Sequence, residues 1–75
     1  MNINNLAFDE YQYRFDYDGQ TDDNPKYQGI NNPGVPEGTS SWIIYLYEYD
    51  VSRQLTSRKV NLNASWTNRT NELYE

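Results

Sequence analysis

The chain contains no cysteine and no histidine among its 75 residues. Disulfide bridges are therefore excluded, and so are the Cys and His ligands of the usual zinc sites. Nucleophilic catalysis by a Ser-His-Asp or Cys-His arrangement is excluded for the same reason. Large hydrocarbon side chains are also scarce, since Leu, Ile, Val and Phe together number 14. Because a chain this short buries only about 60% of its unfolded surface, we expect oligomerisation or docking on a partner to add stability.

Aromatic residues offset this shortage, with eight Tyr, two Trp and two Phe. Disordered chains are poor in aromatic residues, so the composition predicts a folded chain whose core is largely aromatic. No apolar run approaches the roughly 20 residues of a transmembrane helix. We therefore expect no membrane partner.

The formal net charge of −5 is unevenly distributed along the chain. Residues 1–50 carry nine acids against two bases, a net charge of −7, and residues 51–75 carry two acids against four bases, a net charge of +2. An acidic chain does not attract a phosphate backbone, so we expect no nucleic-acid partner. The asymmetry fits head-to-tail contacts between copies, and it equally fits a scattered, solvated surface.

Short stretches of alternating apolar and polar residues, separated by turn residues, predict β-strands. They span residues 11–18, 26–30, 41–49 and 55–62. The fold class expected is all-β: a small, twisted antiparallel meander of about four strands, formed by two hairpins, with extended terminal arms. Residues 1–10 are then an N-terminal arm, residues 11–62 the β domain, and residues 63–75 a C-terminal arm or a short final strand.

The aromatic side chains fall into rows on the predicted strands. The first strand carries one row, formed by Tyr11, Tyr13, Phe15 and Tyr17. We expect this row to line the covered face of the sheet beside Trp42, Ile44 and Leu46. The alternate residues of the third strand, Ile43, Tyr45 and Tyr47, are then expected to meet a neighbouring subunit or the chain's own arms.

Tyr and Trp are the residues that buried protein interfaces favour, since each combines a large area with a polar group. The rows therefore predict a protein interface rather than a chemical site. The interface residues predicted are Tyr11, Tyr13, Phe15, Tyr17, Trp42, Ile43, Tyr45, Tyr47 and Trp66.

Other functions can be argued from the same residues. Four acids cluster near the first turn: Asp16, Asp18, Asp22 and Asp23. Gln20 and Thr21 stand where an EF-hand loop needs its next oxygen ligand and its Gly, which leaves only a looser calcium loop open. Sugar stacking on Trp42 or Trp66 also stays open. Acids in a turn that bind no ligand are the better interpretation of this cluster, so we expect no metal and no cofactor. Paired carboxylates need a pocket that raises the pKa of one of them, and a single small sheet has none, so we expect no enzymatic activity.

Several short motifs follow one another in a familiar order. They are Tyr-Arg-Phe-Asp-Tyr-Asp-Gly at 13–19, Tyr-Gln-Gly at 27–29, Pro-Glu-Gly-Thr-Ser-Ser-Trp-Ile-Ile at 36–44, Tyr-Asp at 49–50, Trp-Thr-Asn-Arg at 66–69 and Leu-Tyr at 73–74. In this order they resemble a family of small β-rich virion structural proteins of tailed bacteriophages. Thr67 stands where that family carries Asp, and Leu73 and Tyr74 are adjacent where the family separates them by one residue.

The resemblance implies a virion structural protein present in many copies, as capsid decoration, a neck or connector part, or a tail adaptor. Its partners are then copies of itself and other virion proteins, and it is made in the bacterial host cytoplasm before it joins the virion. Two alternatives stay open. One is a small acidic phage protein that inhibits a host or defence enzyme by presenting carboxylates in place of DNA phosphates, and the other is a carbohydrate-binding tip module.

Overall fold

A computed structural model describes residues 11–17 and 24–75 and places them in one four-stranded antiparallel sheet. The strands are β1 (Gln12–Asp16), β2 (Tyr27–Asn31), β3 (Trp42–Tyr49) and β4 (Leu55–Ala64), and they lie side by side in sequence order. The predicted all-β antiparallel meander is confirmed. The N-terminal arm predicted over residues 1–10 lies outside the described residues, as does the turn at 18–23.

The register of the strands sorts the side chains onto two faces. Arg14 pairs with Gly29, which pairs with Ile44. Tyr13 pairs with Ile30, and Ile30 pairs with Ile43. Directly opposite residues of antiparallel strands project to the same side of the sheet. The row of Arg14, Gly29 and Ile44 therefore lies on one face of the sheet, and the row of Tyr13, Ile30 and Ile43 lies on the opposite face.

This register corrects the expectation for the aromatic row of β1. Tyr13 and Phe15 share a face with Ile43 and lie on the side of the sheet opposite Trp42. Alternation shows which residues of a strand share a face. It leaves open which face of the next strand they join, because a shift of one residue in pairing exchanges the faces.

The core lies between one face of the sheet, here called the covered face, and the C-terminal segment (residues 65–75). Its buried apolar residues are Tyr27, Trp42, Ile44, Ala64 and Trp66, with Leu46 and Tyr74 packed against them. After β4 the chain passes through a short 3-10 helix (Arg69–Asn71) and lies back across the sheet. Within this segment, which was predicted to be an arm or a short final strand, Trp66 is buried and Tyr74 half-buried against the chain's own strands.

Gly29 allows the C-terminal segment to approach the sheet closely. A Cβ atom at this position would stand 2.7 Å from Cε3 of Trp66 and 3.3 Å from Cε3 of Trp42. The ring centroids of these two indoles are 6.3 Å apart. Those of Tyr27 and Tyr74 are 5.9 Å apart. The absence of a side chain in the middle of β2 therefore makes room for the Trp66 ring.

Polar contacts hold the C-terminal segment in place. The Arg69 Nε donates to Asp16 Oδ2 at 2.8 Å, and its guanidinium carbon lies 4.5 Å from the centre of the Trp66 ring. Further along, the backbone N–H and C=O groups of Glu75 and Val60 bond to each other at 3.2 Å. The segment thus contacts both edge strands of the sheet, β1 and β4.

The loop between β2 and β3 joins the same network. The carbonyl of Glu37 accepts hydrogen bonds from the Ser65 hydroxyl at 3.2 Å and the Thr67 N–H at 3.0 Å. The Glu37 carboxylate pairs with Arg14 at 2.6 Å, and the Arg14 guanidinium lies 5.4 Å from the centre of the Trp42 ring. Loop, sheet and C-terminal segment therefore close around one aromatic core.

Candidate interaction surface

The side of the sheet away from the C-terminal segment, here called the open face, is rich in aromatic and aliphatic side chains. It comprises Tyr13, Phe15, Gln28, Ile30, Ile43, Tyr45, Tyr47, Arg58, Val60 and Leu62, with Tyr11 and Tyr17 adjoining the ends of β1. The four rings in and beside β1 remain 40% to 51% exposed, and Leu62 is 60% exposed. Among residues 11–17 and 24–75, the exposed apolar side chains of the open face therefore form a contiguous patch rather than isolated exposed residues.

The exposed area is large for a domain of this size. An aromatic side chain carries about 200 Å² of surface, so the four β1 rings alone leave on the order of 350 Å² in water. The largest apolar patch of a typical monomer is about 300–600 Å² and often has a function. Since the aliphatic residues of β2 and β4 add to these rings, the open face reaches the size of a protein-binding patch.

Contacts within the sheet hold the central rings of the open face in place. The ring centroids of Tyr45 and Tyr47 are 6.3 Å apart. The Arg58 guanidinium carbon lies 5.0 Å from the centre of the Tyr45 ring. The Tyr47 hydroxyl donates to Gln28 Oε1 at 2.7 Å. Side chains that are already ordered lose less conformational entropy when a partner binds, so these contacts prepare the surface for association.

Charged groups are concentrated away from the open face. The carboxylates of the described residues lie on the covered face, in loops or in the C-terminal segment: Asp16, Glu37, Glu48, Asp50, Glu72 and Glu75. Glu48 pairs with Lys59 at 3.6 Å, in addition to the two Arg pairs already described. In this part of the chain Arg58 is the charged residue of the open face. As far as residues 11–17 and 24–75 determine it, the open face is thus nearly neutral and slightly basic.

Two displaced pKa values belong to groups away from the open face. The Ser57 hydroxyl, which donates to Glu48 at 2.6 Å, and the Lys59 ammonium hold the pKa of Glu48 below its usual value. Burial raises the pKa of Tyr74 to about 12, with smaller effects from Tyr27 and Glu72 in the same direction. These two pKa shifts therefore affect how the stability of the domain depends on pH, and they do not change the charge of the open face.

The residues predicted as an interface divide between two places. Seven of them lie on or beside the open face: Tyr11, Tyr13, Phe15, Tyr17, Ile43, Tyr45 and Tyr47. Trp42 and Trp66 lie in the core instead, with 0% and 6% of their surface exposed. The Trp42 Nε1–H also donates to the Pro36 carbonyl at 3.0 Å. Neither indole is presented to a partner or to a sugar ring, and this corrects their assignment to the interface.

Sequence reasoning missed the part of the open face that β2 and β4 contribute. Ile30 completes the row between Tyr13 and Ile43. In β4, Val60 lies opposite Tyr45, and Leu62 follows it two residues later on the same side. The signal was present in the alternation of Arg58, Val60 and Leu62. The polar and charged residues between them masked this signal; they indicated an edge strand, and β4 does lie at the edge of the sheet.

The described residues show little sign of other kinds of site. Among residues 11–17 and 24–75, no group of three or more acidic side chains could hold a metal ion. Asp16, the one described member of the predicted acidic cluster, binds Arg69. No helix in the same part of the chain is long and apolar enough to cross a membrane. No family model, curated protein or solved structure matches the chain.

Proposed function

We propose that this chain is a structural component of a bacteriophage virion, present in many copies and acting through protein–protein contacts of its open face. The ordered motifs between residues 13 and 74 support the phage assignment by resemblance. The observation that carries the assembly role is the aromatic row of β1, whose rings remain 40% to 51% exposed. Exposed Tyr and Phe in a contiguous patch are typical of surfaces that become buried between proteins.

The energetics favour use of the whole open face. The exposed area of the β1 rings is on the order of 350 Å². Covering it contributes about 9 kcal/mol to the free energy of association, at about 25 cal/mol per Å². Association costs about 4–15 kcal/mol in lost rigid-body freedom alone. A contact through β1 alone would therefore be weak. A contact that also covers Ile30, Ile43 and Leu62 gains enough apolar burial to be stable.

The role is one of surface rather than chemistry. Capsid decoration, a neck or connector part and a tail adaptor are each roles for a small subunit that binds copies of itself and other virion proteins. The chain would be made in the host cytoplasm and become part of the virion on assembly. Each of these positions repeats by symmetry, which multiplies a modest contact over many copies.

Quantitative peptide mass spectrometry of purified particles of the source phage, scaled to the major capsid protein, tests the proposal. We expect on the order of tens to hundreds of copies per particle, as a symmetric ring or lattice requires. Abundance in infected cells together with absence from particles would overturn the virion role. An acidic inhibitor of a host or defence enzyme would then become the working hypothesis.

A variant experiment tests whether the open face carries the role. The double variant Tyr45→Ala with Tyr47→Ala removes two rings from the centre of the face, and the matched variant Val51→Ala with Leu73→Ala removes two exposed apolar side chains elsewhere. We expect the first to be lost from particles and the second to be retained. Equal incorporation of the two variants would show that the open face is not the assembly surface.

A further inference from the structure

We infer that the open face binds the open face of a second copy, so that two sheets pack as a β-sandwich homodimer about a two-fold axis parallel to the strands. The inference rests on the proposed function in that it names the first partner of the same surface. Aligned sheets pack face to face about 10 Å apart, with the side chains of their inner faces interdigitating.

The size of the open face fits this partner. Four strands at about 4.8 Å and the eight residues of β3 at about 3.3 Å give a patch of about 19 by 26 Å. The β1 rings supply nearly half of the about 800 Å² that each partner buries in a specific interface. Arg58, Leu62 and the half-buried residues of β2–β4 extend the same patch. One copy therefore presents enough surface to cover another.

The relief of the face determines which strands meet. The register places Tyr13, Ile30 and Ile43 in one row and Phe15, Gln28, Tyr45 and Val60 in a second, and Tyr47 pairs with Arg58. Leu62 follows Val60 at the register shift opposite Trp42 and Ile44, and Tyr17 adjoins the end of β1. The open face is therefore bulky at its β1 edge and carries non-aromatic side chains at its β4 edge. A two-fold axis parallel to the strands places β1 of one copy over β4 of the other. The β1 rings of each copy then lie over the smaller side chains of β4 in the other copy. A two-fold axis across the strands would instead place β1 over β1 and stack ring on ring.

This arrangement also pairs complementary groups. Because the axis keeps each row at its own level, Tyr13 lies over Leu62 of the second copy, and Phe15 lies over its Val60. Tyr17 then lies over Arg58 of the second copy. Aromatic faces attract a guanidinium placed above them. The cation of each open face therefore meets a ring from the other copy.

Electrostatics favour a contact through this face. Each chain carries a net charge of −5, so two copies repel each other unless the surfaces that meet carry few acids. Among the described residues, the open face carries Arg58 and no carboxylate. The two Arg58 groups of the sandwich lie at opposite edges, about 15–19 Å apart by strand spacing, which exceeds the Debye length of about 8 Å at physiological salt. The like charges brought together are thus few and screened.

Sedimentation equilibrium of the full chain tests the dimer. We expect a mass of twice 8.9 kDa at concentrations of tens of micromolar. Phe15→Glu places a carboxylate within the sandwich and should return the protein to a monomer. Val51→Glu introduces the same charge at a fully exposed position in the β3–β4 turn and should leave the dimer intact. A wild-type chain that is folded and monomeric up to about millimolar concentration would overturn the inference.

Cross-linking tests the axis, and it does so even if Phe15→Glu fails to fold. The chain has no cysteine, so single substitutions report without background. Tyr13→Cys and Leu62→Cys should form a disulfide only when the two variants are mixed. A mixture of Tyr13→Cys with Ser52→Cys is the control and should remain unlinked. Linking of Tyr13→Cys to itself, with no link in the mixture, would overturn the arrangement proposed.

The two proposals fail separately. A monomeric protein that is abundant in particles would overturn the homodimer and keep the virion role. A dimer that is absent from particles would keep the sandwich and overturn the virion role.

Discussion

At the scale of single residues, Gly29 determines how closely the C-terminal segment lies on the sheet. Gly29→Ala introduces a Cβ atom 2.7 Å from Trp66 Cε3 and 2.9 Å from its Cζ3, and both distances are shorter than the about 3.5–4.0 Å of a normal carbon–carbon contact. Overpacking of this kind costs about 1–3 kcal/mol. For a domain of 60–100 residues, we expect Tm to fall by about 4–8 °C for each kcal/mol lost, measured by circular dichroism.

Gly38→Ala is the matched control for this substitution. Its added Cβ atom would meet only Thr67 Oγ1, at 3.9 Å, which is an ordinary contact. We expect its stability to stay within about 0.5 kcal/mol of the parent, as for most surface substitutions. Equal effects at Gly29 and Gly38 would show that Trp66 does not rest on the sheet as described.

Tyr74 gives the domain a dependence on alkaline pH. Its pKa is raised to about 12 in the folded chain, chiefly by burial, from the 10.0 of a free tyrosine. The folded state therefore holds the phenol proton more tightly than the unfolded state. The resulting stability is fully present below pH 10 and is lost as the pH rises from 10 towards 12. Its hydroxyl also donates to the Arg69 carbonyl at 2.7 Å, a bond available only to the protonated form.

Urea unfolding of the parent and of Tyr74→Phe between pH 8 and pH 12 isolates this group from the other tyrosines. At pH 8 we expect the parent to be more stable by about 0.5–1.5 kcal/mol, the usual net value of one hydrogen bond. The advantage should shrink as the pH rises above 10. A difference that stays constant up to pH 12 would contradict the assignment.

At the scale of elements, the C-terminal segment is the second layer of the fold. Trp66 contributes the largest side chain of that layer and is 6% exposed. Trp66→Ala should cost about 3–5 kcal/mol, which approaches the total stability of many small domains. We expect loss of the near-ultraviolet dichroism and of cooperative thermal unfolding.

Leu73→Ala is the control within the same segment, because its side chain is 83% exposed. It should unfold like the parent. If Trp66→Ala also unfolds like the parent, the segment does not form the cover of the sheet.

The elements also show what the sequence could predict. Alternation and turn residues located all four strands to within two residues, because both signals are local. The pairing of faces depends on register, and register depends on contacts between distant residues such as Gly29 and Trp66. The C-terminal segment was expected to be an arm since its two apolar anchors, Trp66 and Tyr74, lie far apart in a polar stretch. Their burial comes from the covered face, which no local pattern describes.

For the candidate surface, the sequence predicted the kind of residue better than its location. The rings of β1 and β3 were expected in an interface, and they lie on or beside the open face. The two indoles were assigned to the same interface and lie in the core. Tyr and Trp suit both environments, because each has a large apolar body and one polar group. Composition alone therefore cannot separate a core ring from an interface ring.

At the scale of the whole molecule, the C-terminal segment covers one face of the sheet, and no other described residue covers the opposite face, which also carries aromatic side chains. The covered face carries the ion pairs Asp16–Arg69, Arg14–Glu37 and Glu48–Lys59 around its rim. The open face carries rings with Arg58 as its charge. The described part of one copy buries five apolar residues, and the association proposed above would complete a second half-core on the open face.

Association that completes the core makes stability depend on protein concentration. A partner that binds only the folded chain stabilises it by mass action. Each tenfold rise in concentration is worth about 1.4 kcal/mol per dimer, or about 0.7 kcal/mol per chain. We therefore expect the Tm of the parent to rise by about 3–5 °C per tenfold increase in concentration. Higher salt should strengthen this effect, since it screens the repulsion between two chains of charge −5.

Scanning calorimetry over two decades of protein concentration measures this dependence of Tm. We expect Val51→Glu to follow the parent and the Tm of Phe15→Glu to be independent of concentration. A Tm of the parent that is independent of concentration, or a dependence that Phe15→Glu shares, would show that the open face does not complete the fold.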